Sequence, residues 1–241
     1  PRVASTDNAI VRFDGTTGTV QNSGVTIDDN GNIGIGTQSF NGFGGSGFKN
    51  YIINGNFDVW QRGTTLINVV RGSFLADRFV LNADGNATVS VNTSTEDTLN
   101  GRRINTLALF ASPIGTTSYL GIATRLEDMM KYAGKTLTLS FYAISDSSAP
   151  IYVYYGRYYT SMVYSSAIIV GNGNVGSLTK YTATFTVPPY AGESYSSVNS
   201  FLEIAIRQQR TTIGSLRIAQ VQLEEGSIAT PFEQRPYGLE L

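Results

Sequence analysis

Three runs in this chain alternate between apolar and polar residues with a period of two. In KTLTLSFYA, Leu137, Leu139 and Phe141 share one side, and Thr136, Thr138, Ser140 and Tyr142 share the other. In KYTATFTV, Tyr181, Ala183, Phe185 and Val187 oppose Thr182, Thr184 and Thr186. In FLEIAIRQ, Phe201, Glu203, Ala205 and Arg207 oppose Leu202, Ile204 and Ile206. Successive side chains of a strand leave opposite faces of a sheet, so this pattern predicts half-buried strands rather than helices. Further strands are expected at 78–83, 87–92, 104–110, 119–125, 151–155, 166–170 and 214–223. About ten short strands separated by turn signals predict an antiparallel β-sandwich or jelly roll. Only LEDMMKYAG, residues 126–134, suggests a helix, of one or two turns ended by Gly134.

Composition agrees with an all-β class. Charged residues make up 15% of the chain, against roughly 25% in ordinary soluble domains, and helices need charged outer faces. There are 26 glycines, as tight turns require. Cysteine and histidine are both absent, which excludes disulfides, thiol chemistry, Cys/His zinc sites and a Ser-His-Asp triad. Net charge is −1 with no basic run, so no nucleic-acid partner is expected. No apolar run is long enough to cross a bilayer, so no membrane insertion is expected. The first residues lack the charged and apolar regions of a signal peptide, and an internal-looking Pro1 suggests part of a longer chain.

Three regions differ in texture. Residues 1–37 hold short apolar pieces between turn pairs at Asp14-Gly15, Ser23-Gly24 and Asn30-Gly31. They have too few apolar side chains to close a core alone, so a β-rich oligomerisation stem is expected, completed by copies of itself. A linker is the plainer alternative. Residues 38–49 are glycine-rich and predict a hinge. Residues 50–241 form the sandwich.

Four motifs occur in order: NGNFDVWQRGT (54–64), ADRFVL (76–81), GKTLTLSFYA (134–143) and VQLEEGSIATPFEQRPYG (221–238). With them the chain resembles the carbohydrate-binding-module-like jelly roll at the end of bacteriophage tail fibres and tail spikes. TDNAIVRFDGTTGTVQNSGVTIDDNGNIGIGT (6–37) is similar to the short repeat that precedes such tips. The resemblance implies a homotrimer in the virion tail whose terminal domain meets bacterial surface polysaccharide, of lipopolysaccharide or capsule. It also implies a structural calcium near Asp58 with an acidic partner on the last strand. Gln220 stands where such relatives carry Asp, so no metal and no cofactor is expected.

The motifs have bland readings too. Trp60 is the only tryptophan; it suits a sugar platform but better suits a core anchor, with Arg62 and Asp77/Arg78 as a buried polar lock. Phe57, Val59 and Gln61 alternate with Asp58 and Trp60. Glu224 and Glu225 are adjacent on a strand and point to opposite faces, so they cannot flank one glycosidic bond. The Pro231-Phe232 and Pro236-Tyr237 tail should pack back across the domain or on a neighbour. GNGNVGS (171–177) lacks the Lys-Ser/Thr and helix of a phosphate loop. No catalytic residues are assigned and no enzyme is expected. A depolymerising tail spike or a purely structural trimerisation module are the alternatives.

Residues 151–164, IYVYYGRYYTSMVY, contain six of the chain's 14 tyrosines. On a strand, Ile151, Val153 and Tyr155 share the core face, while Tyr152 and Tyr154 share the other. Tyrosine joins an apolar ring to a hydrogen-bonding hydroxyl, as sugar recognition requires. Tyr152, Tyr154, Arg157, Tyr158 and Tyr159 are therefore candidate carbohydrate-binding residues, with Tyr190 and Tyr195 on a separate loop. A subunit interface or plain packing would use the same tyrosines.

Overall fold

The computed structural model describes strand residues Ala9–Phe13, Val20–Ile27, Ile33–Ile35 and Gln38–Phe40, together with 48–83, 89–94, 97–111, 118–159, 162–194, 199–210 and 214–239. The chain divides into two units, Pro1–Gly47 and Phe48–Leu241.

In the first unit, β1 (Ala9–Phe13), β2 (Val20–Ile27), β3 (Ile33–Ile35) and β4 (Gln38–Phe40) form an antiparallel meander in that order. Ser23-Gly24 is not a turn, as its dipeptide suggested. β2 runs through it, and the register steps from Ala9 opposite Thr26 to Val11 opposite Asn22. Ser23, Gly24 and Val25 thus bulge against Ile10, and a glycine relaxes such a bulge. The Asp14-Gly15 and Asn30-Gly31 pairs lie outside the described residues. The hinge expected over 38–49 begins too early, because Gln38–Phe40 pair with β3. All four of its glycines fall outside the described residues.

The second unit is an antiparallel sandwich. One sheet contains β5 (Thr65–Val69), β7 (Val89–Ser94), β10 (Thr106–Ala111), β12 (Thr136–Ser145), β15 (Thr179–Thr186) and β17 (Gly214–Glu225). Its order is β15-β12-β17-β10-β7-β5. The other sheet contains β6 (Phe79–Leu81), β11 (Ser118–Glu127), β13 (Pro150–Tyr158), β14 (Met162–Asn172) and β16 (Phe201–Arg210), in the order β14-β13-β16-β11-β6. A small hairpin, β8 (Thr98–Leu99) with β9 (Arg102–Arg103), lies before β10. From β10 to β13 the chain changes sheet at each step, the weave expected of a jelly roll.

The period of two sets the core. Leu137, Leu139 and Phe141 of β12 are buried with Leu216, Ile218, Val221 and Leu223 of β17. The other sheet contributes Leu120 and Ile122, Ile151 and Val153, and Leu202, Ile204 and Ile206. Thr182, Thr184 and Thr186 stay exposed, as their alternation predicted. Thr138 and Ser140 do not, because their face of β12 has a cover.

The cover is the tail after β17. The Gln222 amide donates to the Pro231 carbonyl, and the Glu224 carboxylate accepts from the Thr230 backbone and hydroxyl at 2.8 and 2.7 Å. Burying these polar groups is tolerable because each is hydrogen-bonded. The tail thus packs back over its own domain. Glu225 takes the opposite face, exposed and paired with Lys135 at 2.6 Å.

Two motifs fold differently from expectation. NGNFDVWQRGT is a chain of turns, with Asn54 at φ 58 and Phe57 at φ 55. Asn54 holds it by donating to the Val59 and Asp77 carbonyls and accepting from the Val59 N–H. Phe57 and Val59 are buried but Gln61 is exposed, so the alternation ends there. Arg62 pairs with Asp77 at 3.2 Å in a solvent-facing contact rather than a buried lock, and Arg78 reaches Glu127 instead. Trp60 packs against the core and donates to the Phe57 carbonyl at 2.7 Å. LEDMMKYAG shrinks to one 3-10 turn, Met129–Lys131, entered through Asp128 at φ 59 and left through Gly134 at φ 77.

Candidate functional site: an aromatic face on the five-stranded sheet

β13 is an inner strand of the five-stranded sheet, between β14 and β16. Its tyrosines divide by parity. Tyr155 points inward and stacks on Phe185, with centroids 4.2 Å apart. Tyr152, Tyr154 and Tyr158 point outward and are half-buried.

Register then places partners beside them. Tyr152 lies opposite Arg207, Tyr154 opposite Ala205, and Tyr158 opposite Phe201. One strand further, Tyr119 is opposite Gln209, Gly121 opposite Arg207, Ala123 opposite Ala205 and Arg125 opposite Glu203. The middle of this face is floored by small residues, and longer side chains rise on either side.

Those longer side chains are mutually held. The Arg207 guanidinium lies between two rings, 4.5 Å from the centroid of Tyr119 and 4.2 Å from that of Tyr154. Tyr158 stacks on Phe201 at 4.5 Å with 16° between planes, and Arg125 sits 4.6 Å over the other ring of that stack, Phe201. Gly156 lies between Tyr154 and Tyr158. A Cβ there would sit 2.9 Å from the Tyr154 hydroxyl and 3.1 Å from Tyr158 Cε2, so its absence lets both rings close over the strand. Tyr152 donates to Gln209 at 3.4 Å. Arg125 bonds Glu203 at 3.3 Å, and Arg78 bonds Glu127 at 3.3 Å.

Arg157 and Tyr159 belong elsewhere, which corrects their candidacy as ligand contacts. Arg157 is 5% exposed and Tyr159 1%. Arg157 donates to the carbonyls of Pro188 and Pro189, each at 2.9 Å, and to Glu193 at 3.0 Å. It pins the loop after β15. Tyr190 is 41% exposed on that loop and donates to the Glu193 carbonyl at 2.6 Å. It forms no part of the sheet face. Tyr195 lies outside the described residues.

Sequence reasoning did not bring Tyr119, Phe201, Arg207, Arg125 or Gln209 to the tyrosines. FLEIAIRQ correctly put Phe201, Glu203, Ala205 and Arg207 on one face. The missing information was the pairing of β13 with β16 across some fifty residues of sequence.

At Asp58 the carboxylate accepts from the amides of Asn56, Asn105 and Gln234, the shortest contact being 2.6 Å from Asn105. Gln220, where an acidic partner was sought, sits at φ 50 in a β-bulge between β12 and β17. Among the described residues no group of three or more His, Cys, Asp or Glu side chains could hold a metal ion. A separate polar cleft of about 390 Å³ lies between the β8–β9 hairpin and residues 176–178. Its charged groups, Asp97 and Arg217, satisfy one another at 2.7 Å.

Burial pushes the hydroxyls of Tyr132, Tyr155 and Tyr158 up to about 12. For Tyr158, the Glu203 charge and the Tyr154 hydrogen bond add to that burial. The folded value lies above the unfolded one, so the stabilisation is complete below about pH 10 and is lost as pH rises toward 12. Thermal melts followed by circular dichroism from pH 8 to 12 should therefore fall steeply above pH 10. A melting temperature constant to pH 11.5 would contradict these buried hydroxyls.

No family model matches the chain, and no curated protein matches its sequence. Solved structures do match. A candidate sugar-binding protein from Bacteroides thetaiotaomicron is 13% identical, with a TM-score of 0.50 over 73% of this chain and 100% of that one. The bacteriophage CBA120 tailspike protein 4 enzymatically active domain is 16% identical over 73% of this chain, at a TM-score of 0.49. This chain spans only 21% of that domain's length. The family 11 carbohydrate-binding module from Clostridium thermocellum, solved with a β-1,3-1,4-mixed-linked tetrasaccharide, is 14% identical, with a TM-score of 0.41 over 66% of this chain and 95% of that one. At 13% identity and a TM-score of 0.50, the likeness to the Bacteroides structure shows a shared fold alone.

Proposed function

We propose that the second unit is a glycan-binding module and that the outer face of its five-stranded sheet is the binding surface. The observation that carries this is the array of Tyr119, Tyr152, Tyr154, Tyr158 and Phe201 around a floor of small residues, with Arg207, Gln209 and Glu203 between the rings. Aromatic faces pack on sugar C–H groups, and the interleaved polar groups reach sugar hydroxyls. Glu127 and Glu203 are each held by an arginine, which suits a surface that binds without cleaving.

In this reading the chain is the receptor-binding tip of a phage tail fibre, displayed on the virion as a homotrimer. It recognises lipopolysaccharide or capsule for host adsorption. The sequence resemblance to tail-fibre tips supports the viral setting, and a trimer would raise the effective concentration of weak sites.

The test is retention of the purified protein on a panel of bacterial surface polysaccharides, with polymer length followed in the same samples. One glycan class should be retained without shortening; shortening would make the protein an enzyme. Tyr152→Ala combined with Tyr154→Ala should weaken retention at least ~30-fold, about 2 kcal/mol, as for central aromatic anchors. The oligomer should persist. Loss of the oligomer with these substitutions would instead place the tyrosines between subunits.

A further inference from the structure

The charged side chains of the aromatic face are not equivalent. Arg125 is paired with Glu203, and Arg78 with Glu127. Among the described residues Arg207 has no such partner. Its buried Nε has no hydrogen-bond partner among the described residues, and no carboxylate or carbonyl among them accepts from its guanidinium. Its contacts are the two rings that enclose it.

Nε is closed off from solvent, so an incoming acceptor meets the terminal nitrogens of the guanidinium. A buried N–H without an acceptor destabilises the fold. The two terminal N–H groups of a guanidinium match the paired oxygens of a carboxylate or phosphate. The rings also fix the side chain, so little rotamer freedom is lost when an acceptor arrives. Tyr152, directly opposite on β13, and Gln209, two residues along β16, supply neutral hydrogen-bonding groups alongside. With the other two arginines neutralised, Arg207 is the uncompensated positive charge of this face among the described residues.

We propose that Arg207 selects a negatively charged sugar, bearing a uronate carboxylate or a phosphate, on the aromatic face. The inference rests on the glycan-binding reading and narrows its substrate class.

Two measurements on the full chain test it. In the first, arginine Nε–H resonances of isotopically labelled protein are followed by NMR, with that of Arg207 assigned through Arg207→Lys. Glucuronate, glucose 6-phosphate and glucose are titrated in turn. The Arg207 resonance should move with one or both anions and stay still with glucose; which anion moves it identifies the acceptor. In the second, affinity electrophoresis compares polygalacturonate with its carboxyl-reduced form, and smooth lipopolysaccharide before and after dephosphorylation. The acidic member of at least one pair should be retained more strongly, and Arg207→Gln should lower that retention about 10–100-fold. Raising salt should weaken it as well. Equal retention of charged and neutral members, unchanged in Arg207→Gln, overturns the charge selection and leaves the glycan platform standing. No retention of either member of any pair, with a silent Arg207 resonance, overturns both.

Discussion

Gly121→Ala is expected to destabilise the sandwich by about 3 kcal/mol or more, the upper range for overpacking. A Cβ at this position would lie 1.9 Å from the Ile206 carbonyl oxygen and 2.8 Å from the Arg207 Cα. Both are backbone atoms of β16, so no side chain can swing aside. Gly121 is not among the residues with positive φ. The demand is for close approach of two strands, not for an unusual backbone. Relief requires β11 and β16 to part in the middle of their ladder, breaking the register that puts Gly121 opposite Arg207. The variant should melt well below the parent and lose the aromatic face as well, because Arg207 moves with β16. Thr182→Ala, on the exposed side of β15, is the control and should change little. A Gly121→Ala protein with an unchanged melting temperature would show that the two strands are not so close.

Arg157→Ala is expected to cost about 2–3 kcal/mol, by removing a buried side chain and leaving carbonyls in the loop after β15 without their donor. For a domain of this size that lowers the melting temperature by about 4–12 °C. Arg157 belongs to the inward set of β13 near the sandwich end, where it also lies 5.6 and 5.7 Å from the ring centroids of Tyr159 and Tyr164. Glycan retention measured well below the melting temperature should persist, since none of the outward tyrosines touches it. Loss of retention with unchanged stability would return Arg157 to the ligand and reverse the assignment made from its burial.

Local pattern carried much of this fold. The alternation of KYTATFTV survives unchanged in β15, because one face meets the core and the other meets water. The alternation of KTLTLSFYA identified the core side of β12 but not the burial of Thr138 and Ser140. Their cover comes from residues about ninety positions later. The alternation in NGNFDVWQRGT stops short of Gln61 because the segment is anchored by turns, and the side-chain bonds of Asn54 that hold those turns leave no periodic trace. The candidate site was legible only by half. Parity along β13 separated Tyr152 and Tyr154 from Tyr155 correctly. Continued two residues further it also gives Arg157 the inward face, but the strand was expected to end at residue 155 and β13 runs on to Tyr158. The partners across β16 and β11 depend on strand order, which the period of two does not encode.

The closing of Tyr154 and Tyr158 over Gly156 has a consequence for selectivity. These rings, with Phe201 and the enclosed guanidinium, have already lost their rotational freedom when the chain folds, so a bound polymer orders little further protein. A surface fixed in this way cannot adjust its spacing to its guest. Under the proposed function it acts as a ruler: polymers whose sugar rings repeat at the interval of the aromatic rows register along it, and those with a longer or bent repeat meet the rows out of step.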